Sequence, residues 1–468
     1  MYNFHFWKVI AGVGPLLAKE TILSKIVNMV DVFKISLSQW FDDNNKKYIE
    51  TILKLDNSKT IMMETRGADL RIKNVVPVSL KKWQEITIDY SEYAQESDLK
   101  LYVDYPRMHE LPTGTKITLA QSEITLEVKD IKNEEAVCTV IQGWTVIPYD
   151  KIIFQNYDPQ VQFLTNRDKK ELQRWLAHGI HIVAASYVKS AEDINHLRAF
   201  LSTENQEKMK IYAKIETPEA LDNFDDILSV SDGVIIAFDT LAQAMKDQDT
   251  SDEKIITHCK KIWKPIIAHY AQWVQSSTYP LLQKELIQKY CHHSVDGCMI
   301  ETMIQEEDPL RVVNGLFDAI QEYALEPTDA QVPVFYKGSD FIIRDYIIYN
   351  AYRICSELEI KAIVCYTYNG YTTARLAALH PRVPIIAFTS VDETYRYINT
   401  LWWVKWFKIS PNFNYENLKR IGKEMIRIIF KGNISLDDKI IIVQANEIAR
   451  DEKTDMINGV ELYKFKNI

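Results

Sequence analysis

Long hydrophobic runs, paired cysteines, a basic face and internal repeats are all missing from this 468-residue chain. No segment approaches the roughly 20 consecutive apolar residues that a membrane-spanning helix needs. The opening MYNFHFWKVIAGVGP has too short an apolar run and too few leading charges for a secretory signal. A cytoplasmic protein with no membrane partner is the expectation. The six cysteines (Cys138, Cys259, Cys291, Cys298, Cys355 and Cys365) lack CxxC spacing and mostly fall inside apolar segments. They read as reduced core thiols rather than disulfides or zinc ligands. Cys291-His292-His293 is metal-like in composition, but adjacent residues cannot converge on one tetrahedral ion without donors from elsewhere. The net charge of -9 and the absence of a lysine and arginine stripe argue against nucleic acid, whose phosphates are bound by basic faces.

Apolar residues make up 47% of the chain and charged residues 25%, the balance of a globular protein with an ample core, and the length calls for two or three domains. Short apolar runs recur at Lys8–Gly12, Val30–Leu37, Thr60–Glu64, Ile180–Ser186, Lys210–Glu216, Gly233–Phe238, Lys264–Tyr270 and Val295–Glu301. Amphipathic helical stretches separate most of them. Thr165–Gly179 places Leu172, Trp175 and Leu176 at helical spacing and stops at Gly179, and Ser190–Leu201 opens with Ser190 and Asp193 in its first turn. Eight buried strands alternating with helices are what a (β/α)8 barrel requires.

The rhythm breaks between the third and fourth runs, where ITIDY, KLYVDY, KITLAQ, ITLEVKDI and AVCTVI alternate at period two around turn residues such as Pro112-Thr113-Gly114. This predicts an inserted all-β lid, a small β-barrel over 74–156. Leaving the barrel after a strand, it would sit at the C-terminal face, where loops close over ligands. The barrel itself is then discontinuous, 1–73 and 157–327. From about Thr328 a helix through Arg344–Leu358, the strand KAIVCYT, a helix containing Ala374-Arg375-Leu376 and the strand VPIIAFTS predict an open α/β domain over 328–468.

Chemistry concentrates at Lys210–Glu219, KIYAKIETPE, where the fifth strand ends in Lys214 and Glu216. Residues two apart on a strand share a face. At a barrel mouth the carboxylate could hold a divalent cation and the ammonium could neutralise a transferring phosphoryl group. A plain i,i+2 ion pair at a solvated strand end is the alternative.

Several motifs, in order along the chain, resemble those of the pyruvate kinase family: KVIAGVGP, VFKISLSQ, METRGADLR, AASYVKSAED, AKIETPEALDNFDDIL, SDGVIIA and KPII. The resemblance implies transfer of a phosphoryl group from phosphoenolpyruvate to ADP, giving pyruvate and ATP in glycolysis, in a homotetramer. It puts Lys214 beside the phosphoryl group and Glu216 on Mg2+ or Mn2+, and it puts Arg71 and Lys34 on phosphates and Ser186 in the pocket lining. Ser36, Ser38, Glu64 and Thr65 match the site of a monovalent cation, K+. The family's second metal ligand is the aspartate of A-R-G-D. Here the segment reads Ala237-Phe238-Asp239-Thr240, so Asp239 serves only after a one-residue slip. Tyr270 stands where the family has a threonine, Lys34 replaces an arginine, and Glu64 and Arg66 replace an aspartate and a lysine.

In the C-terminal domain Thr367-Tyr368-Asn369-Gly370-Tyr371-Thr372-Thr373-Ala374-Arg375 resembles, with one residue extra, the loop T-x-S-G-x-T-A-R that takes a sugar-phosphate effector in regulated members. A helix N-cap made by Thr372 or Thr373 is the other reading. Trp402, Trp403 and Trp406 read as a packed or subunit-facing stripe more than a binding platform. Two functions follow: a pyruvate kinase of altered efficiency, or a catalytically impaired homologue acting as a phosphometabolite-binding or regulatory subunit.

Overall fold

The computed structural model describes residues 6–14, 17–37, 42–91, 95–119, 122–155, 157, 159, 161–238, 241, 252–269, 285, 287–290, 295–300, 308–323, 333–335, 342–410, 415–445 and 459–467. Eight parallel strands close into a barrel in chain order: β1 (Lys8–Gly12), β2 (Val32–Ser36), β3 (Thr60–Glu64), β4 (Ile182–Ala185), β5 (Lys210–Ile215), β6 (Gly233–Ala237), β7 (Ile266–His269) and β8 (Gly297–Ile300). These are the eight apolar runs of the sequence, trimmed at their ends. Nearly every residue of them is buried, as expected of a parallel sheet covered on both faces. On β5 the interior face carries Tyr212 and then Lys214. Tyr212 lies so close to β6 that a Cβ on Gly233 would sit 2.5 Å from its ring.

The helices begin and end as their residues dictate. The helix Ala191–Thr203 starts where the Asp193 carboxylate accepts the Lys189 and Ser190 N–H groups at 2.8 and 3.1 Å, and it buries Ile194, Leu197 and Leu201. The helix Asn166–Leu176 buries Leu172 and Trp175, and Gly179 follows it at φ 90, a left-handed turn that favours glycine.

Residues Gly67–Thr165 form a compact unit of their own, containing the span 74–156. Six strands, Glu85–Tyr90, Lys100–Val103, Lys116–Leu119, Ile124–Lys132, Glu135–Gln142 and Ile152–Gln155, make one sheet, and Val78–Ser79 pairs with Thr145–Val146 in a short ribbon. Period-two alternation sends Ile86, Ile88, Leu126, Val128, Cys138 and Val140 into its core. Gly114, at φ 86, makes the Pro112-Thr113-Gly114 turn.

The C-terminal residues belong to the same compact unit as the barrel. Their sheet runs Val404–Lys408, Ile385–Thr389, Ile360–Tyr366, Lys439–Gln444 and Gly459–Lys464, parallel except for the last strand. The segment 396–404 docks on the N-terminal ends of the barrel strands. Tyr212 Oη lies 2.7 Å from Thr400 Oγ1, Thr60 donates to the Arg396 carbonyl at 2.9 Å, Asn399 donates to the Asp31 carbonyl at 2.8 Å, and Lys8 reaches the Val404 carbonyl at 3.2 Å. Trp402 stacks on His380 at 4.0 Å, Trp403 meets the edge of Phe6, and Trp406 donates to Asn399 at 2.6 Å. The three tryptophans are packing residues.

Cys138, Cys259, Cys298 and Cys365 are buried, Cys355 is partly buried, and none of these five is in a disulfide; burial pushes the thiols of Cys138, Cys259, Cys355 and Cys365 up to about 12. Cys291, His292 and His293 lie outside the described residues. Among the described residues no helix is long and apolar enough to cross a membrane.

A buried ionic triad also joins barrel to C-terminal sheet. Lys260 Nζ lies 2.8 Å from Asp296 Oδ2 and 2.6 Å from His380 Nε2, which is 3.2 Å from Asp296 Oδ1. Burial, reinforced by Lys260, holds the His380 imidazole down at about 4. Burial would raise Asp296, but Lys260 and His380 outweigh it and hold the carboxyl below its ordinary value. Between the unfolded value near 6.5 and about 4, only the unfolded chain protonates this histidine. Stability should therefore fall with pH across that window, by at most about 1.4 kcal/mol per pH unit from His380. Urea midpoints at pH 7, 6 and 5 should decline, and His380→Gln should flatten the decline; equal slopes would contradict it.

Candidate active site

Strand-end geometry sets the charged cluster. Lys34 on β2 and Glu64 on β3 come from neighbouring strands, with Ser36 registered beside Glu64, and Lys214 rises from β5. Glu64 binds both lysines: Oε2 accepts from Lys34 Nζ at 2.7 Å and Oε1 from Lys214 Nζ at 2.5 Å. Lys214 also lies 3.1 Å from Glu216 Oε1. The four side chains are between 1% and 10% exposed. The i,i+2 pair of the sequence is therefore one edge of a buried quartet whose centre is Glu64, not a solvated ion pair. Its formal charges cancel.

Backbone donors hold the quartet in place. Glu216 Oε2 accepts the Tyr187 N–H at 2.9 Å, and Tyr187 sits at φ 57, a left-handed conformation that costs a non-glycine residue roughly 1–2 kcal/mol. Thr65 Oγ1 accepts the Ser186 N–H at 3.0 Å, and Thr65 N–H donates to the Ala184 carbonyl. Asp168, buried at the start of its helix, accepts the Arg66 N–H at 2.8 Å. Tyr187 and Asp168 are the residues that reading the sequence missed. Asp168 was visible only as an acidic residue in a first helical turn, and the Tyr187 contribution is a main-chain N–H, which no residue type signals.

The structure thus brings together Lys34, Ser36, Glu64, Thr65, Ser186, Lys214 and Glu216. Arg71 belongs to the inserted unit, where its Nε donates to Asp69 at 2.6 Å and its Nη1 to the Tyr149 carbonyl at 3.3 Å. Phe238 is buried and stacks on Tyr290, with ring centroids 4.9 Å apart. Ser38, Asp239, Thr240 and Tyr270 lie outside the described residues. No group of three His, Cys, Asp or Glu side chains among the described residues could by itself hold a metal ion. In the C-terminal loop, Thr372 donates to the Ala445 carbonyl at 2.7 Å, and Thr373 lies 3.5 Å from Cys365 Sγ. Thr367 is buried on the same stretch, and Asn369 accepts the Tyr371 N–H. Neither threonine caps the helix Tyr371–Ala378, because its N-cap is Gly370 at φ 89, a backbone shape that threonine adopts poorly.

The family description "Pyruvate kinase, barrel domain" matches residues 5–311, and "Pyruvate kinase, alpha/beta domain" matches residues 345–458. The chain belongs to the pyruvate kinase family. Pyruvate kinases of Staphylococcus aureus strains MRSA252 and USA300 are each 23% identical to it over 420 residues, covering 85% of this chain and 71% of theirs. The fold is similar to the crystal structure of Cryptosporidium parvum pyruvate kinase, with a TM-score of 0.86 at 18% identity, over 98% of this chain and 97% of that one.

Within this pyruvate kinase family member, Glu64 offers the sharpest structural test. Breaking a buried charge pair from one side costs about 3–5 kcal/mol, because the remaining charge is left uncompensated. Glu64→Gln, which leaves two ammonium groups facing an amide, should lower the urea-unfolding free energy by about that amount. A loss below about 1 kcal/mol, the worth of an exposed pair, would contradict a closed quartet.

Proposed function

We propose that this chain is a pyruvate kinase, moving the phosphoryl group of phosphoenolpyruvate to ADP with a divalent cation, in the cytoplasm. The observation that supports it most is the Lys214 ammonium, buried at the end of β5 and held between Glu64 and Glu216. In the proposed reaction the bond between the enol oxygen and phosphorus breaks, a terminal ADP oxygen bonds to phosphorus, and the enolate takes a proton to become pyruvate. Lys214 offsets charge on the phosphoryl group in flight, Lys34 and Arg71 bind phosphate oxygens, and Ser186 lines the substrate pocket.

The donor set suits Mg2+ or Mn2+, which bind through one or two carboxylates and share the rest of their shell with water and substrate phosphates. Glu216 is the candidate ligand among the described residues. Its Oε2 accepts the Tyr187 N–H and its Oε1 lies 3.1 Å from Lys214, so the ion would take the place of that one ammonium contact. Asp239, after a one-residue slip, is the second ligand that the resemblance implies. Bound there, the ion would turn a neutral quartet into a positive site able to take two anionic substrates. A monovalent cation fits less well. Both Glu64 oxygens already accept from ammonium groups, and Thr65 Oγ1 already accepts an N–H.

A coupled assay with phosphoenolpyruvate, ADP and Mg2+ should show turnover that Lys214→Met lowers by about 100-fold or more, the scale seen when one donor to transition-state charge is removed. Phosphoenolpyruvate should raise the melting temperature only with Mg2+ present, and Glu216→Ala should abolish that shift. Background turnover in both proteins would reject the enzyme and leave the phosphometabolite-binding homologue.

Replacing K+ by tetramethylammonium at constant ionic strength should change the rate by less than about twofold, because the ammonium groups already neutralise Glu64. A tenfold fall would place a monovalent cation at Glu64 after all.

A further inference from the structure

Away from the quartet, a cavity of about 220 Å³ opens between the N-terminal ends of β5 to β7 and the loop before the helix Tyr371–Ala378. That is smaller than the roughly 300–1,000 Å³ of pockets for drug-sized ligands. Its walls carry three cationic side chains, Lys210, Lys264 and Arg375, against one carboxylate, Asp232. Asp232 is engaged by Lys210 at 3.1 Å and by Arg198 at 3.0 Å. Arg375 donates to the Ile262 carbonyl at 3.2 Å, lies 3.6 Å from Asp345 and sits over the Trp263 and Tyr371 rings. Lys264 Nζ donates at 2.6 Å to the Ser231 carbonyl and has no carboxylate within ion-pair distance among the described residues. Ser231, also in the wall, is only 3% exposed, and its hydroxyl has no hydrogen-bond partner among the described residues. A buried hydroxyl left unpaired costs about 1–3 kcal/mol. A ligand atom between it and the cations would remove that cost.

We infer that this cleft is a binding site for a small oxyanion, a phosphate or carboxylate group, held by Lys264 and Arg375 and fixed by the Ser231 hydroxyl. It lies on the barrel side of the loop, and the loop's threonines, whose hydroxyls are engaged inside the C-terminal domain, do not line it. The electrostatics agree. Burial holds the Lys264 ammonium down at about 8; Asp232 opposes this, while Arg375, Lys210 and Arg198 add to it. The facing phenols of Tyr371 and Tyr397 are both raised by burial and stay neutral. An anion at the centre offsets the cations' mutual repulsion, so affinity falls as pH rises from 7 to 9 and Lys264 loses its proton.

The test is binding rather than turnover, so it is separable from the catalytic reading. Full-length protein is titrated calorimetrically with inorganic phosphate, and separately with malonate, against chloride at equal ionic strength. Saturable binding of phosphate assigns a phosphorylated ligand, and saturable binding of malonate alone assigns a carboxylate. Lys264→Gln should weaken the binding about tenfold or more, the scale of one charge-assisted hydrogen bond. Ser231→Ala should weaken it several-fold while leaving the free protein as stable as wild type or more so, a combination that a purely structural serine would not give. Lys214→Met should leave it unchanged. Absence of saturable binding of either anion, or binding lost in Lys214→Met and kept in Lys264→Gln, overturns the proposal.

Discussion

Everything at the barrel mouth depends on how Glu64 is compensated. A carboxylate with so little exposure is stable only if its charge is met at close range, and here two ammonium groups from β2 and β5 meet it at 2.7 and 2.5 Å. That demand links three strands of one closed sheet. It fixes where Lys214 stands, and so which side of it faces Glu216. The main-chain donors follow from it, because the second Glu216 oxygen is held by a Tyr187 N–H that only a left-handed backbone supplies.

The opposite end of the barrel is organised by a different need. Strand ends expose polar groups and the lower interior must be sealed. The segment 396–404 of the C-terminal domain meets both requirements, with Thr400 against Tyr212 and Asn399 on the Asp31 carbonyl. Tyr212 and Lys214 lie two residues apart on β5. The same strand therefore carries, on one face, the contact that anchors the C-terminal domain and the cation of the candidate active site. The Lys260–Asp296–His380 triad and the cleft at Lys264 lie along this same junction.

Much of this was legible in the residues. The eight strands were visible because parallel strands buried on both faces read as unbroken apolar runs, and the inserted sheet because one buried face imposes period two. Lys214 and Glu216 were visible as charges at the end of such a run. The central place of Glu64 was not: the family resemblance put it with Ser36, Ser38 and Thr65 as a cation ligand, and its ties to Lys34 and Lys214 cross 30 and 150 residues of chain. The cap at Gly370 was not read, and a threonine cap stood as one of two readings, because a hydroxyl next to a helix start is a strong local signal while a positive φ leaves none beyond the glycine itself.

By itself the sequence determined the order of strands and helices, the break where the β unit is inserted, and the set of charged residues available at strand ends. These are local matters, written in periodicity and turn chemistry. The tertiary structure alone decided which charges meet, that the strand-end pair is one edge of a neutral quartet, and that three cations from distant segments share one small cleft with a hydroxyl that has no partner among the described residues. Barrel closure is the reason, since only a closed sheet brings side chains from β2, β3 and β5 to one point.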